Sequence, residues 1–199
     1  MRFEHFDIFA PIYDRIVRLP VSSRLIELLG LPIEGALLDV GGGTGRISAR
    51  LKHMAARVVI CDFSFPMLRQ AQKKNGMFPV QARAEQLPFA DSTFDRVVIV
   101  DALHHFFDQQ AAVCDLLRVL KPGGRLVIEE PDRDRFIIKL LVIFEKMAFM
   151  RSRIHTMPQI LQMLTKEGIA AWIEPGDSFG SWVVADKTSH PDTAEPGYP

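Results

Sequence analysis

The sequence predicts an α/β fold built on one seven-stranded, mostly parallel sheet with helices on both faces and an antiparallel hairpin at its C-terminal end. Short, continuously apolar runs recur along the chain and alternate with stretches of helical periodicity, which is typical of strands buried on both faces. Two further strand-like runs near the C-terminus are joined by a short loop. With 199 residues, 48% of them hydrophobic, the chain is long enough for one domain with a sizeable core.

Five apolar runs predict the parallel strands, and three helices are predicted between them. The strands are Ala36–Val40, Arg57–Cys61, Pro79–Arg83, Phe94–Val100 and Arg125–Glu129, with the third the weakest. The helices are Arg46–Met54, Pro66–Lys74 and Asp108–Leu120. The third helix runs into Lys121-Pro122-Gly123-Gly124, where proline and glycine predict a helix stop followed by a turn.

After the fifth strand the pattern predicts two more helices, Arg133–Arg151 and Met157–Lys166, and then the hairpin strands Ile169–Glu174 and Ser181–Asp186. The first of these helices is apolar on nearly all sides, so it is either deeply buried or covers a cavity or a partner, and burial is the more frequent case. We expect a single domain over residues 1–187 and a disordered tail over residues 188–199, which is rich in proline, aspartate and glycine.

Charge and cysteine content narrow the function classes. Lys plus Arg equals Asp plus Glu at 24 each, so no large basic field is available for a nucleic acid partner. Cys61 and Cys114 lie in apolar runs without metal or redox spacing, which predicts buried free thiols in a reducing compartment and no metal site. The N-terminus is charged and lacks the apolar segment of a signal peptide. The most apolar run, 136–150, is interrupted by charged residues and is too short to span a bilayer. We therefore expect a soluble, cytoplasmic protein with no membrane span.

A glycine-rich turn after the first strand is the strongest local motif. Asp39 is followed by Gly41, Gly42, Gly43 and Gly45, and a helical pattern starts at once. This strand, turn and helix leaves a ligand access to the backbone, and free amides at a helix start favour an anionic group such as a carboxylate. The pattern departs from the dinucleotide fingerprint because Arg46 stands at the third small position. Taken alone, glycines after a strand are a weak signal, and a turn that serves only packing is a fair alternative.

Asp62 ends the second strand and is a candidate for binding a ribose diol. The alternative is a helix N-cap, because a helix follows directly. Ser64 is better placed as that cap, and the spacing from the glycines favours ribose binding by Asp62.

Several segments in order resemble the class I S-adenosylmethionine-dependent methyltransferases. They are Leu37–Ser48, Val58–Leu68, Ala84–Phe89, Ser92–Asp95 and Leu117–Gly124. Phe6–Asp14 is similar to the lead-in of the small-molecule branch that includes ubiquinone and menaquinone biosynthesis C-methyltransferases. The resemblance covers most of the chain. It implies a Rossmann-like fold, N-terminal lid helices within residues 1–30, substrate-side cap helices over residues 133–166, S-adenosylmethionine as cofactor and a small-molecule methyl acceptor.

The resemblance also assigns cofactor contacts. Asp39, Gly41, Gly43 and Gly45 would hold the methionine half, and Asp62 the ribose. The remaining contacts would be Phe63, Met67, Ala84 and Glu85 at the adenine, Asp101 and Ala102 at the sulfonium side, and Tyr13 closing over the site. The family commonly carries an aspartate where this chain has Arg83, which cannot accept a hydrogen bond from the adenine amine. Glu85 or a backbone carbonyl would then substitute, or cofactor affinity would be weak.

His104 and His105 follow the fourth strand and are the candidate catalytic residues, with His105 preferred because some small-molecule methyltransferases carry a catalytic histidine at the matching position. The alternative, about equally weighted, is that one of them caps or packs at the start of the next helix. The apolar 133–151 segment predicts a flat or lipophilic acceptor, or a homodimer contact. The competing functions are a non-catalytic cofactor-binding or regulatory module and an NAD-dependent oxidoreductase.

Overall fold

The computed structural model describes residues 10–11, 13–16, 22–131, 154–176 and 180–189. In this part of the chain, seven strands form one sheet in the order β3-β2-β1-β4-β5-β7-β6. The strands are β1 (Ile33–Val40), β2 (Ala55–Asp62), β3 (Phe78–Gln81), β4 (Phe94–Val100), β5 (Leu120–Pro131), β6 (Ala170–Glu174) and β7 (Gly180–Asp186). Only β7 runs against its neighbours, β5 and β6. The predicted fold class is confirmed.

The order of the strands determines where a ligand can reach the sheet. From β1 the chain moves outward to β2 and β3 and then returns to β4 on the other side of β1. The loops that follow β1 and β4 therefore leave the sheet side by side, at the carboxyl ends of the strands, where the strand order reverses. In open α/β sheets this is the position at which ligands bind.

Six α-helices lie among the described residues: α1 (Tyr13–Ile16), α2 (Ser23–Leu29), α3 (Ser48–Leu51), α4 (Phe65–Gln72), α5 (Gln109–Val119) and α6 (Met157–Thr165). The predicted helix Arg46–Met54 is wrong in length, because α3 spans only Ser48–Leu51 and the Met54 carbonyl already accepts the Ile33 amide at 2.8 Å. The predicted turn at residues 121–124 is also wrong, because β5 starts at Leu120 and Gly123 and Gly124 exchange backbone hydrogen bonds with Lys187.

The core consists of two apolar layers on opposite faces of the sheet. Leu38 and Ile128 belong to the layer beneath α5 and α6, whereas Leu37 and Val127 belong to the layer beneath α2 and α3. Adjacent residues of one strand are thus buried on opposite faces, which explains the continuously apolar runs in the sequence.

The two cysteines differ in their surroundings. Cys61 is buried, and its burial raises the pKa of the thiol to about 12. Cys114 is exposed on α5, so the expectation of two buried thiols is wrong for that residue. Both are free thiols.

Several predictions fall on parts of the chain that are not described. The predicted helix Arg133–Arg151 lies wholly outside the described residues. Most of residues 1–15 and the tail from residue 190 also lie outside them. Among the helices that are described, none has the length and apolar character needed to cross a membrane.

Candidate functional site

The glycine turn follows β1 and bends because Gly41, Gly43 and Gly45 adopt φ values of 74°, 54° and 71°. These glycines have different surroundings. A Cβ on Gly45 would lie 2.8 Å from Ile60 Cδ1, and one on Gly41 would lie 2.5 Å from the Cβ of Ala102. A Cβ on Gly43 would meet only Asp62 Oδ2, at 3.9 Å. Gly41 and Gly45 therefore allow close packing, and Gly43 borders open space beside a carboxylate.

Asp39 lies beneath this turn with 1% of its surface exposed. The Ser48 hydroxyl donates a hydrogen bond of 2.6 Å to Asp39 Oδ2, and this bond ties the end of β1 to the first residue of α3. Burial raises the pKa of the Asp39 carboxyl to about 6, and the charge of Asp62 adds to this effect. Through its hydrogen bond with Ser48, Asp39 stabilises the turn. A direct contact between Asp39 and a ligand remains a prediction.

Asp62 joins the end of β2 to the turn. Its Oδ2 accepts a 2.8 Å hydrogen bond from the Gly43 amide, and its Oδ1 accepts one of 2.8 Å from the Ser64 amide. Ser64 is the N-cap of α4, because its hydroxyl accepts the Met67 amide at 3.3 Å, so the predicted capping role is confirmed. The carboxylate of Asp62 is thereby held at the carboxyl edge of the sheet, on the open side of Gly43.

Helix α1 brings Tyr13 to the same edge. Burial raises the pKa of the Tyr13 phenol, and the charges of Asp101 and Asp62 raise it further, while that of Arg46 lowers it. The phenol therefore lies near the Asp101 and Asp62 carboxylates, which follow β4 and end β2. That Tyr13 closes over the site stays a prediction.

Asp14, which the sequence reading did not single out, fastens α1 to the turn. Its Oδ1 accepts a hydrogen bond from the Thr44 hydroxyl, and Lys74 Nζ lies 2.6 Å from its Oδ2. Hydrogen bonds from Lys74 and Thr44 lower the pKa of the Asp14 carboxyl against the opposing effect of burial. The adjacency of Asp14 to Tyr13 in the sequence is the one signal that pointed to it.

The segment after β4 is held by Glu130, the second residue that the sequence reading missed. Asp101 has a φ of 56°, and its amide donates to the Glu129 carbonyl at 2.9 Å. Glu130 Oε1 accepts the amides of Ala102 at 3.0 Å and Leu103 at 2.7 Å. Its Oε2 lies 2.6 Å from Nδ1 of His104. An acidic residue at the end of a buried strand was the available signal, since a buried carboxylate needs partners.

The two histidines have different surroundings. His104 is 4% exposed and engaged with Glu130, which corresponds to the packing role that the sequence left open for one of the pair. His105 is half-buried, and its ring centroid lies 3.9 Å from that of His104. Burial, together with the neighbouring His104, lowers the pKa of His105 to about 3. His105 is therefore neutral at physiological pH.

The residues predicted for the adenine side differ in exposure, and their contact with an adenine stays a prediction. Met67 and Ala84 are buried at 3% and 7% exposure, whereas the Phe63 ring is 49% exposed. Glu85 Oε1 accepts the amides of Phe107 at 2.7 Å and Asp108 at 3.0 Å, so its carboxylate braces the loop before α5.

Arg83 lies beside Glu85, with a 3.3 Å bond from its Nε to Glu85 Oε2. Its guanidinium carbon is 5.2 Å from the Phe107 ring centroid. In the described part of the chain, no group of three or more His, Cys, Asp and Glu residues is arranged to hold a metal ion.

Comparisons with known proteins agree with this geometry. A family model described as a methyltransferase domain matches residues 38–128, which cover most of β1 through β5. The ubiquinone/menaquinone biosynthesis C-methyltransferase of Enterobacter sp. (strain 638) is 33% identical over 153 residues, which cover 72% of this chain and 59% of that protein. The demethylmenaquinone methyltransferase of Thermobifida fusca (strain YX) is 45% identical over 100 residues, 47% of this chain and 42% of that protein.

A solved structure supports the fold. The S-adenosylmethionine-dependent methyltransferase and possible histamine N-methyltransferase of Thermotoga maritima has a TM-score of 0.75 at 24% identity, and the match covers 92% of this chain and 98% of that one. The chain spans about three fifths of the Enterobacter relative, 59% of its length. The family match, the relatives and the glycine turn with its Asp62 partner show that the chain belongs to the class I S-adenosylmethionine-dependent methyltransferases and resembles the ubiquinone/menaquinone biosynthesis C-methyltransferases.

Proposed function

We propose that this chain transfers a methyl group from S-adenosylmethionine to a small-molecule acceptor. The observation that carries the proposal is the Asp62 carboxylate, which the Gly43 amide holds at the open side of the turn where the strand order reverses. A fixed carboxylate at the end of β2 suits a ribose diol, because each of its oxygens can accept a hydrogen bond from a hydroxyl group. The open space next to Gly43 allows the ligand to approach the backbone.

The residues of the site fit the parts of this cofactor. The backbone of the turn would hold the methionine end and Asp62 the ribose, while Phe63, Met67, Ala84 and Glu85 remain the predicted adenine side. Arg83 cannot accept a hydrogen bond from the adenine amine, so another group must do so. Because the Glu85 carboxylate already accepts two loop amides, a backbone carbonyl is the better candidate for this acceptor. When bound, the cofactor supplies a methyl group already activated by the sulfonium.

The protein's part in such a reaction is alignment and exclusion of water. Asp101 and Ala102 follow β4 next to Gly41, and Tyr13 approaches from α1. His105 is neutral at physiological pH, and with a pKa of about 3 it is a weak base. Its proposed role is therefore to orient the acceptor by a hydrogen bond, because an effective general base has a pKa near the working pH.

The proposed class of methyl acceptor is based on the names of the similar proteins. Two relatives are described as acting in ubiquinone/menaquinone biosynthesis or on demethylmenaquinone, so we propose an aromatic or quinone-like ring as the acceptor and carbon as the methylated atom. The net charge of zero gives no support to a nucleic acid acceptor. A homodimer is part of the same proposal, and light scattering coupled to size exclusion tests it.

Ligand-dependent thermal unfolding tests the proposed donor. S-adenosylhomocysteine, the product of methyl transfer, is expected to raise the melting temperature, and NAD is expected to leave it unchanged. Stabilisation by NAD alone would replace this proposal with a nicotinamide-dependent one. His105→Ala is then expected to keep the S-adenosylhomocysteine response and to lose turnover on the acceptor, and full turnover would remove His105 from the mechanism.

A further inference from the structure

We propose that Glu130 is a positioning residue of this site, whose buried carboxylate fixes the segment 101–105 against the glycine turn and, through His104, the place of His105. The inference rests on the proposed methyl-transfer function, because the segment it fixes is the one that would face the reacting end of the donor.

Glu130 lies at the end of β5 with 2% of its surface exposed. A buried carboxylate is costly unless hydrogen bonds and an opposite charge compensate for the loss of water. Among the ion pairs of the described residues, Glu130 has one possible cationic partner, His104, at 2.6 Å. Its other bonds go to the amides of Ala102 and Leu103. All three bonds therefore converge on consecutive residues of one short segment.

The strand itself does not depend on this carboxylate. The backbone of β5 pairs with β4 on one side and with β7 on the other, and Glu130 is within the β7 ladder opposite Ser181. Removing the carboxylate leaves those ladders in place and releases the segment. The effect of a substitution should consequently be concentrated in the loop after β4, with a smaller effect on the sheet.

That loop makes a close contact with the glycine turn. The Cβ of Ala102 occupies the space that a side chain at Gly41 would need, at 2.5 Å from the Cβ position. Asp101, one residue earlier, has a φ of 56°, in the left-handed region that is unfavourable for a residue with a side chain. A segment with this strain needs external bonds to keep its shape, and Glu129 and Glu130 supply them.

Glu130 also reaches His105 through its neighbour. Nδ1 of His104 is held by Glu130, and the His104 ring packs on His105 at an interplanar angle of 51°. The orientation of the His105 ring thus depends on a ring whose own orientation is set by Glu130.

Donor affinity, measured apart from stability, tests the inference. S-adenosylhomocysteine binding is measured by calorimetry, well below the melting temperature, for Glu130→Ala, Glu130→Gln and the control Asp95→Asn. Asp95 is a matched control because its carboxylate also accepts a backbone amide, that of Ala36 at 2.8 Å, but near the amino end of β4, away from the turn. All three variants are expected to melt at lower temperature.

The expected result is a loss of affinity of roughly tenfold or more in Glu130→Ala, while Asp95→Asn binds like the wild-type protein. Glu130→Gln keeps the shape but lacks the charge-assisted bonds, so its affinity should fall by about fivefold. Wild-type affinity in Glu130→Ala overturns the inference. If Glu130→Ala does not fold, wild-type affinity in Glu130→Gln overturns it. A wild-type protein that does not bind S-adenosylhomocysteine instead refutes the proposed function.

Discussion

Gly43→Ala should separate the folding role of the glycine turn from its binding role. Gly43 has a φ of 54°, so any L-residue there adopts the left-handed region at a cost of about 1–2 kcal/mol. No packing clash adds to this cost, because the nearest atom to the new methyl group is Asp62 Oδ2 at 3.9 Å. For a chain of this size, a loss of 1 kcal/mol lowers the melting temperature by about 2–4 °C.

The same methyl group would lie in the space proposed for the donor, beside the carboxylate proposed for its ribose. Forcing an extra methyl group into a site that the ligand fills costs about 1–3 kcal/mol, which corresponds to a loss of affinity of roughly fivefold to 150-fold. Gly168→Ala is the matched control, since Gly168 has a φ of 73° and nothing lies within 4 Å of its Cβ position.

Both variants are assayed by urea unfolding and by calorimetric titration with S-adenosylhomocysteine. The two should lose similar free energies of unfolding, and only Gly43→Ala should lose affinity. Equal affinities in the two variants would show that the open side of Gly43 is not where the donor binds, and would refute the reasoning from the geometry of the turn.

Three further substitutions follow from the same contacts. Asp62→Asn leaves one acceptor oxygen for the Gly43 and Ser64 amides, so urea unfolding should show a loss of about 1–3 kcal/mol and calorimetry a weaker donor affinity. Lys74→Met removes the cation from Asp14, and trypsin should then cleave the N-terminal segment a few-fold faster with little change in melting temperature, because an exposed ion pair contributes at most about 1 kcal/mol. Asp39→Asn should alter the pH dependence of stability. The folded-state pKa of Asp39, about 6, lies above its ordinary value of 3.8, so the native state binds this proton more tightly and the contribution of Asp39 to stability falls as pH rises from about 4 to about 6. Urea unfolding across this range should show the difference between wild type and Asp39→Asn changing by up to roughly 3 kcal/mol, and parallel curves would contradict it.

The glycine turn and its partner strand could be predicted because local sequence determines them. Apolar runs buried on both faces mark β1 and β2, and the positive φ angles of the turn require residues without a side chain. Ser64 was predictable for the same reason, since a helix cap acts on an amide three residues away.

Features that depend on distant partners were predicted less well. The helix after the turn is shorter than its apolar periodicity suggests, because the Met54 carbonyl accepts the amide of Ile33 at the start of β1. Gly123 and Gly124 read as a turn, yet their backbone bonds to Lys187 place them in a strand. In each case the partner lies far away in the sequence, and local propensity gives no information about it.

Among the carboxylates, too, some roles could be predicted from local sequence and others depend on distant partners. These carboxylates also bear on which ligand the site can bind. Asp62 could be predicted from its spacing to the glycines, whereas Asp14 and Glu130 act through loops that only the fold brings near. Burial raises the pKa of the Tyr13 phenol, the charges of Asp101 and Asp62 raise it further, and the charge of Arg46 opposes them. The carboxylates at the ends of β2 and β4 would repel a pyrophosphate placed beside them and attract a ligand whose reactive end is a cation. Arg46 in place of a third small residue and these carboxylates therefore both argue against a dinucleotide, the first on steric and the second on electrostatic grounds.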